Sequence, residues 1–224
     1  MLGLLTFLAA TSTTAIQLEG WKVELGTGVL KDPSWSVAKL ELTRQLQKIK
    51  RVVGEPALAK LQKVTIWVNS KSEITACMAY HPGREWLKEH KENPDMAKGV
   101  EIGNCLNFAS WTYEQPWMVM HELAHAYHDQ YLENGFSNPD VLETFNKSMK
   151  DKRYDSVLHW AGGKSKHYAT TNQMEFFAET TESYFGTNDF YPFVRAELMN
   201  FDPDAFQLMK RIWGDPVKRT GAGK

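Results

Sequence analysis

The sequence has little cysteine and no block of basic residues, and each lack excludes classes of protein. Two cysteines among 224 residues are too few for a disulfide-rich scaffold or an all-cysteine zinc site, so any metal site must use mainly histidine and carboxylate ligands. Lys and Arg number 26 against 27 Asp and Glu, which gives a formal net charge of −1. Sequence-independent nucleic-acid binding needs a concentrated cationic surface. We therefore expect small-molecule, peptide or protein partners and no nucleic acid.

A long hydrophobic run is also lacking. The apolar stretch 2–10 is shorter than the roughly 20 apolar residues that a membrane span requires, so we expect no stable membrane insertion. Small residues follow it up to Ala15, and no charged residue precedes Glu19, a pattern typical of a secretory signal cleaved after Ala15. A buried first strand or a misplaced start site is the alternative. We expect a secreted protein with a signal peptide over 1–15 and a single domain over 16–224.

Export would allow Cys77 and Cys105 to oxidise to each other, because oxidising compartments permit disulfides. The chain-entropy model values such a loop at roughly 3–4 kcal/mol. We predict this disulfide for exported protein, and the alternative is two unpaired buried thiols.

The apolar pattern predicts an α+β fold with strands in the N-terminal half and a helical C-terminal half. Val37, Leu40, Leu46, Ile49 and Val53 recur at near-helical spacing, which predicts a helix over about 34–53. Repeats and βαβ alternation are lacking, so we expect one domain with an active-site cleft between its two halves. The other predicted elements are a short helix after Pro56, strands at 64–68, 74–80 and 100–108, and helices at 115–133, 139–150, 172–186 and 203–213.

The predicted helix 115–133 contains the pattern His-Glu-x-x-His, from His121 to His125. Two imidazoles four residues apart lie on one helix face and can both reach a single zinc ion at about 2.0–2.1 Å. Glu122 is rotated by about 100° from His121, where its carboxylate can act as general base toward a water that zinc activates. The pattern predicts zinc, and the alternative is an amphipathic core helix whose polar residues match by chance.

A catalytic zinc site needs a third protein ligand and an open position. Tyr131 stands where the metzincin pattern requires a histidine, six residues after His125. His128 follows His125 by three residues, but three ligands on one helix would crowd the metal. We therefore interpret His128 as a cleft-wall or surface residue, and Glu175, fifty residues downstream, is the better candidate.

Glu175 belongs to an acidic row beside an apolar stripe of the predicted helix 172–186. Like charges at i and i+4 repel each other, so a partly buried row implies a cationic partner. We predict Glu175 as the third ligand, and Glu179 as the acceptor of the outer N–H of a liganding histidine. The alternatives are a capping glutamate paired with Asn172 and a solvated face for the others, to which we assign Glu182.

The residues around these two segments resemble a known family. The stretches 121–125 and 168–179 are similar to the catalytic domain of anthrax lethal factor and to the secreted Pro-Pro endopeptidases of clostridia. In that family a tyrosine stands seven residues before the glutamate ligand, which Phe-Phe-Ala-Glu or a near variant follows. Tyr168 precedes Glu175 by seven residues, and Glu-Phe-Phe-Ala-Glu is intact.

The resemblance implies a zincin-like metallopeptidase of the gluzincin type, and it favours Glu179 as the residue behind the ligands. It does not extend to 16–100, so the substrates of the family are not transferred. By position, it implies His121, His125 and Glu175 as zinc ligands, Glu122 as general base and Tyr168 as the donor that stabilises the oxyanion.

Tyr168 is also a reasonable donor on chemical grounds. A phenol with a pKa near 10 stays protonated at neutral pH and can donate to the oxygen on which negative charge develops. His167 beside it is an alternative donor, and an amphipathic tyrosine before a helix is the structural alternative.

The predicted strand that contains Gly103 and Asn104 comes just before the zinc helix. In zinc peptidases of this general build, an edge strand at this place pairs with an extended substrate. Gly103 would permit close backbone approach, so we predict substrate binding at Gly103 and Asn104, with an ordinary strand as the alternative.

These features together predict a secreted zinc-dependent endopeptidase that is monomeric, holds one Zn²⁺ per chain and acts on a peptide or protein substrate. One alternative is a zinc-containing protein that binds peptides without cleaving them. Another is a zinc hydrolase that acts on a non-peptide amide or ester.

Overall fold

The N-terminal half of the chain contains a mixed β-sheet. A computed structural model describes residues 13–217. Within that range, the sheet consists of β1 (Thr14–Leu18), β2 (Trp21–Leu25), β3 (Ile66–Val68), β4 (Met78–Tyr80) and β5 (Val100–Ile102), and a separate hairpin consists of β6 (Val157–Leu158) and β7 (Lys164–Ser165).

Helices connect the strands of the sheet and make up most of the C-terminal half, so the predicted α+β class is confirmed. Within residues 13–217, none of the helices combines the length and the apolar character needed to cross a bilayer. The helices are α1 (Trp35–Val52), α2 (Ala57–Leu61), α3 (Arg84–Glu89), α4 (Cys105–Trp111), α5 (Met118–Tyr131), α6 (Pro139–Lys150), α7 (Gln173–Phe185), α8 (Arg195–Phe201) and α9 (Pro203–Trp213).

The strand order of the sheet is β1-β2-β3-β5-β4. The pairs β2/β3 and β3/β5 are parallel, whereas β1/β2 and β4/β5 are antiparallel. β4 is therefore an edge strand, and α5 lies between it and α7. This arrangement places the His-Glu-x-x-His segment of α5 between the sheet edge and the helical half.

Most of the predicted signal segment, residues 1–12, lies outside the described residues. Its last part forms structure, because Thr14 and Ala15 begin β1 and pair with Leu25 and Glu24 of β2. Cleavage after Ala15 would remove these two residue pairs from the edge of the sheet.

The predicted first helix is confirmed as α1, but two of the five apolar residues that predicted it do not face the core. Val37 and Leu40 are 56% and 71% exposed, whereas Ala38 and Leu42 are fully buried. The side of α1 that is covered also carries the buried Gln45, whose Oε1 accepts the backbone N–H of Val119 at 3.1 Å. A backbone donor in the first turn of α5 is thus satisfied by α1.

The predicted strand 100–108 is wrong beyond Ile102, and it is not at the sheet edge, because β5 lies between β3 and β4. Asn104 caps α4 by accepting the backbone N–H of Asn107 at 2.9 Å. A Cβ atom added to Gly103 would lie 2.1 Å from the carbonyl oxygen of Thr75. Gly103 therefore permits a close approach within the chain itself, and neither residue lies on an open strand edge.

The predicted disulfide is wrong, because Cys77 and Cys105 are both free and buried. The Cys77 Sγ contacts the Sδ of Met118 at 3.3 Å, and the Cys105 Sγ faces the carbonyl oxygen of Asn69 at 3.7 Å. Cys105 is the first residue of α4, and its thiol faces Asn69 instead of Cys77. Burial raises the pKa of Cys77 to about 12 and that of Cys105 to about 11, so both thiols are protonated at neutral pH.

A buried carboxylate links β5 to the segments around it. Glu101 is fully buried, and its oxygens lie 2.7 Å from Asn69 Nδ2, 2.7 Å from Thr75 Oγ1 and 2.8 Å from His81 Nε2. Burial opposes ionisation of Glu101, but hydrogen bonds from His81, Thr75 and Asn69 outweigh it and lower its pKa. The ionised carboxylate therefore holds together three segments that flank the edge strand β4.

We predict that Glu101→Ala lowers the free energy of unfolding by about 3 kcal/mol, because the buried Thr75 and His81 and the half-buried Asn69 lose their common partner. The lowered pKa means that the contribution of Glu101 is complete above about pH 5 and declines as the pH falls through that lowered value. Urea denaturation at pH 7 and in acid measures both effects.

The matched control is Glu143→Ala, which removes an exposed glutamate from α6 and should change stability by no more than about 0.5 kcal/mol. Equal denaturation midpoints for wild type and Glu101→Ala at pH 7 would contradict the assigned role of Glu101.

Candidate metal centre

Two imidazoles and one carboxylate converge where α5 meets α7. The Nε2 atoms of His121 and His125 are 3.1 Å apart. The Oε2 atom of Glu175 lies 3.1 Å from the first and 3.3 Å from the second. These three atoms form a nearly equilateral triangle, so the structure brings the three predicted ligands together.

The cap of α7 fixes the position of Glu175. The Asn172 side chain accepts the backbone N–H groups of Met174 and Glu175 at 2.8 and 2.9 Å, which starts the helix and leaves Glu175 in its first turn. The carboxylate of Glu175 faces the two imidazoles. Glu175 is therefore more than a capping residue, because its side chain contacts His121 and His125.

The donor set fits a zinc ion. Four ligands at about 2.0–2.1 Å in a tetrahedron are separated from one another by about 3.3 Å, close to the edges of the observed triangle. Two imidazoles and a carboxylate are the ligands of an open catalytic zinc site. The residues present therefore suit zinc with a fourth position left for water or substrate.

The electrostatics of the cluster formed by His121, His125 and Glu175 also favour a positive charge between these side chains. Burial disfavours the imidazolium form of His121, but hydrogen bonds with Glu175 and Glu182 outweigh burial and raise the pKa of His121. Burial likewise opposes ionisation of Glu175, and hydrogen bonds with His121 and His125 lower its pKa. Glu175 is thus a carboxylate at any ordinary pH, as a metal ligand requires.

The edge strand positions the predicted base. The carboxylate of Glu122 accepts the backbone N–H of Tyr80 at 2.8 Å. The Tyr80 hydroxyl donates to Asp129 of α5 at 2.6 Å, and Lys98 contacts the same carboxylate at 2.5 Å. Tyr80 therefore attaches β4 to α5 at two points, Glu122 and Asp129, an arrangement that the sequence did not predict.

The same strand turns the backbone groups of alternate residues toward the cleft. Residues of an antiparallel pair alternate between those that bond to the partner strand and those that face away. The N–H of His81 donates to the carbonyl of Gly99 at 3.0 Å on the β5 side. Tyr80 and Met78 therefore face away from β5, as the contact from Tyr80 to Glu122 shows.

Tyr168 and His167 lie on opposite sides of the turn before α7. Tyr168 is 48% exposed, lines the cleft, and its ring centroid is 6.5 Å from that of His121. His167 is 2% exposed, and its Nδ1 atom accepts the backbone N–H of Ala169 at 3.1 Å. Burial lowers the pKa of His167 to about 3, and this residue faces the interior, away from the cleft.

Two further glutamates of α7 lie behind His121. The Nδ1 atom of His121 is 2.8 Å from Glu182 and 3.4 Å from Glu179, and each glutamate is 4% exposed. The predicted solvated face for Glu182 is therefore wrong. Residues 175, 179 and 182 follow the i, i+4, i+7 spacing of one helix face. From this spacing the sequence could have predicted that Glu182 lies on the same side of the helix as Glu175.

His128 is buried in the core, so its interpretation as a cleft-wall or surface residue is wrong. Its side chain is fully buried, with ring contacts to Phe136 at 5.2 Å and Phe177 at 4.8 Å between centroids. Burial, followed by the charge of His125, lowers the pKa of His128 to about 4. It is a neutral core residue at neutral pH.

The cluster opens into a cleft of about 450 Å³ between β4 and the helices. Gly103 and Asn104 are not among the described residues that line it, so their predicted contact with substrate lacks structural support. In addition to the metal cluster, Glu122, Glu179 and Glu182, the lining consists of Cys77, Met78, Ala79, Tyr80, Pro82, Trp111, Gln115, Met118, Phe136, Tyr168 and Met174.

Comparison with known proteins gives one structural similarity. No protein-family model and no curated protein matches the sequence. The solved structure of the Pro-Pro endopeptidase PPEP-2 from Paenibacillus alvei is similar, with 17% identity, a TM-score of 0.42, and coverage of 77% of this chain and 89% of that chain. A similarity of this size does not assign a function to this chain.

We predict that the purified protein binds about one zinc ion per chain and that His125→Ala abolishes this binding, because two ligands do not hold the metal. Elemental analysis after dialysis against trace zinc measures the stoichiometry.

The matched control is His90→Ala, which removes an exposed histidine after α3 and should leave the zinc content unchanged. Unchanged zinc content in His125→Ala would show that the metal is bound elsewhere.

Proposed function

We propose that this protein is a zinc-dependent endopeptidase. The observation that carries the proposal is the triangle of His121 Nε2, His125 Nε2 and Glu175 Oε2, with edges of 3.1–3.3 Å, at the floor of an open cleft. Glu122 and Tyr168 line the same cleft. Ligands, base and hydrogen-bond donor therefore meet where a substrate can enter.

Zinc at this triangle would supply the Lewis acidity that activates water and polarises a carbonyl group. Glu122 is the residue that takes the proton from the attacking water and passes it to the departing amine. Its hydrogen bond with the Tyr80 N–H fixes the direction of the carboxylate before substrate binds. Such preorganisation lowers the cost of reaching the reactive geometry.

Tyr168 is the residue that donates to the carbonyl oxygen of the substrate. Burial, followed by the charge of Glu175, raises the pKa of Tyr168, so the phenol keeps its proton at neutral pH. A donor that meets the oxygen most strongly after negative charge has developed stabilises the transition state more than the bound substrate.

The edge strand β4 is the part of the cleft that suits a peptide main chain. The outward backbone groups of Met78 and the outward carbonyl group of Tyr80 can extend the sheet by one strand, while the Tyr80 N–H stays bonded to Glu122. A peptide bound in this way would lie along the cleft past Glu122, which holds the scissile bond close to the metal cluster. We therefore propose that the peptide main chain pairs with β4 and not with the segment of Gly103 and Asn104.

The charges of the cleft restrict the side chains next to the scissile bond. The described residues of its lining include four glutamates and neither lysine nor arginine. An acidic side chain of the substrate would meet like charge without a partner. We propose that the enzyme disfavours acidic side chains on either side of the scissile bond.

We predict that Glu122→Gln keeps its zinc yet loses at least about 10²-fold in turnover, because the amide has the shape of the carboxylate but cannot accept a proton. Digestion of a peptide mixture, followed by mass spectrometry with and without a chelator, measures the loss. Glu143→Gln, an exposed change of the same kind, is the matched control and should cut at the wild-type rate.

Peptide cleavage that a chelator stops and zinc restores supports the proposal when Glu122→Gln lacks it. Zinc binding without hydrolysis would instead indicate a non-catalytic peptide-binding protein. Hydrolysis of ester or simple amide substrates, with every peptide left intact, would indicate the other alternative.

We predict that Tyr168→Phe lowers kcat by about 10²–10³-fold with little change in KM, because one oxyanion donor is lost. The matched control is Tyr113→Phe, which removes the hydroxyl of a tyrosine that is 83% exposed and should leave both constants unchanged. Steady-state kinetics on one cleaved peptide separate the two constants. A change in KM alone would move the donor role away from Tyr168.

A further inference from the structure

One imidazole of the cluster has two carboxylates behind it. The Nδ1 atom of His121 lies 2.8 Å from an oxygen of Glu182, a hydrogen-bond distance. An oxygen of Glu179 lies 3.4 Å from the same Nδ1 atom, beyond the usual range for a charge-assisted bond. The resemblance noted in the sequence favours Glu179 for this position, whereas the geometry favours Glu182.

Glu179 already has another donor. Its Oε2 atom accepts a hydrogen bond from the Asn188 side chain at 2.8 Å, and the same amide lies 3.1 Å from the backbone carbonyl of Glu179. Asn188 is 1% exposed, so this contact is sheltered from water. Glu179 therefore attaches the 188–189 segment to α7, and its carboxylate is directed partly away from His121.

We propose that Glu182, and not Glu179, is the positioning residue that orients His121 for zinc. The proposal rests on the zinc site proposed above. A carboxylate on Nδ1 keeps the proton on that nitrogen, which leaves the lone pair of Nε2 free for the metal. The same bond fixes the rotation of the ring toward His125 and Glu175.

Helix geometry explains why Glu182 can occupy the position beside His121 that was predicted for Glu179. Glu175, Glu179 and Glu182 follow one another by four and three residues, so all three lie on the face of α7 that packs on α5. Glu175 reaches the Nε2 side of His121, and Glu182 reaches the Nδ1 side of the same ring. α7 thus holds this imidazole from both edges.

Glu179, Glu182 and the Nδ1 atom of His121 also lie within 4.8 Å of one another, which is close enough for a second ion. In that case Glu182 would be a ligand and not a positioning residue. The two roles differ in zinc stoichiometry, because a second ion would raise the content to two per chain.

The test compares Glu182→Gln with Glu179→Gln in the full chain. Both variants replace the carboxyl group of an equally buried glutamate of the same helix by an amide, so each is the matched control of the other. Chelator competition gives the zinc dissociation constant of each variant. NMR of the zinc-loaded protein follows the Nδ1 proton of His121, and thermal unfolding confirms that both variants are folded.

We predict that Glu182→Gln weakens zinc binding by about 10–100-fold and shifts the Nδ1 proton resonance upfield, because a neutral acceptor replaces a charged one. Glu179→Gln should change the affinity by no more than about threefold and leave that resonance in place. A larger loss in Glu179→Gln, or equal losses in both, would overturn the proposal.

Two zinc ions in the wild type, one of which is lost in Glu182→Gln, would also overturn the positioning role. Absence of zinc from the wild type would instead refute the proposed function itself. The two failures are therefore distinguishable.

Discussion

The burial of carboxyl groups beside His121 is the constraint on which the rest of the structure depends. Four glutamates, one from α5 and three from α7, line the cleft around two imidazoles, and Glu179 and Glu182 are almost fully covered. Burying a carboxylate is expensive unless it is paired and hydrogen-bonded. Burial raises the pKa of Glu179 and of Glu182, which favours their neutral forms, whereas a divalent cation at the Nε2 triangle would favour their ionised forms. The tight packing of α5 on α7 is therefore compatible with positive charge at the cluster.

Sequence patterns predicted the elements that carry their own periodicity. α5 and α7 are long, and the chemistry of His121, His125 and Glu175 has few alternative explanations, so these candidate ligands could be proposed before their geometry was known. Short strands were harder, because β1 and β2 have five residues each and the first overlaps an apolar leader-like stretch. Strand order was not predictable either, since whether β4 or β5 forms the edge depends on pairing between distant segments.

The error at Glu182 has a different physical cause. A glutamate late in a helix is usually solvated, because one side of most helices faces water. α7 is covered on all sides, since every residue from Phe176 to Phe185 is buried. The sequence contained this information in the density of aromatic and small residues around the acidic row. Uniform burial of a helix with three glutamates on one face is itself an indication of a polar site.

The parts of the proposed site are fixed by separate contacts. The candidate ligand Glu175 depends on the Asn172 cap of α7, and the proposed base depends on the Tyr80 N–H of β4. The donor Tyr168 depends on the burial of its neighbour His167, whose ring stacks on Phe190 at 5.0 Å between centroids. Because these contacts share few residues, loss of one should leave the others in place. In the proposed enzyme, single substitutions should therefore separate metal binding, proton transfer and oxyanion stabilisation, although all three would take place within one cleft.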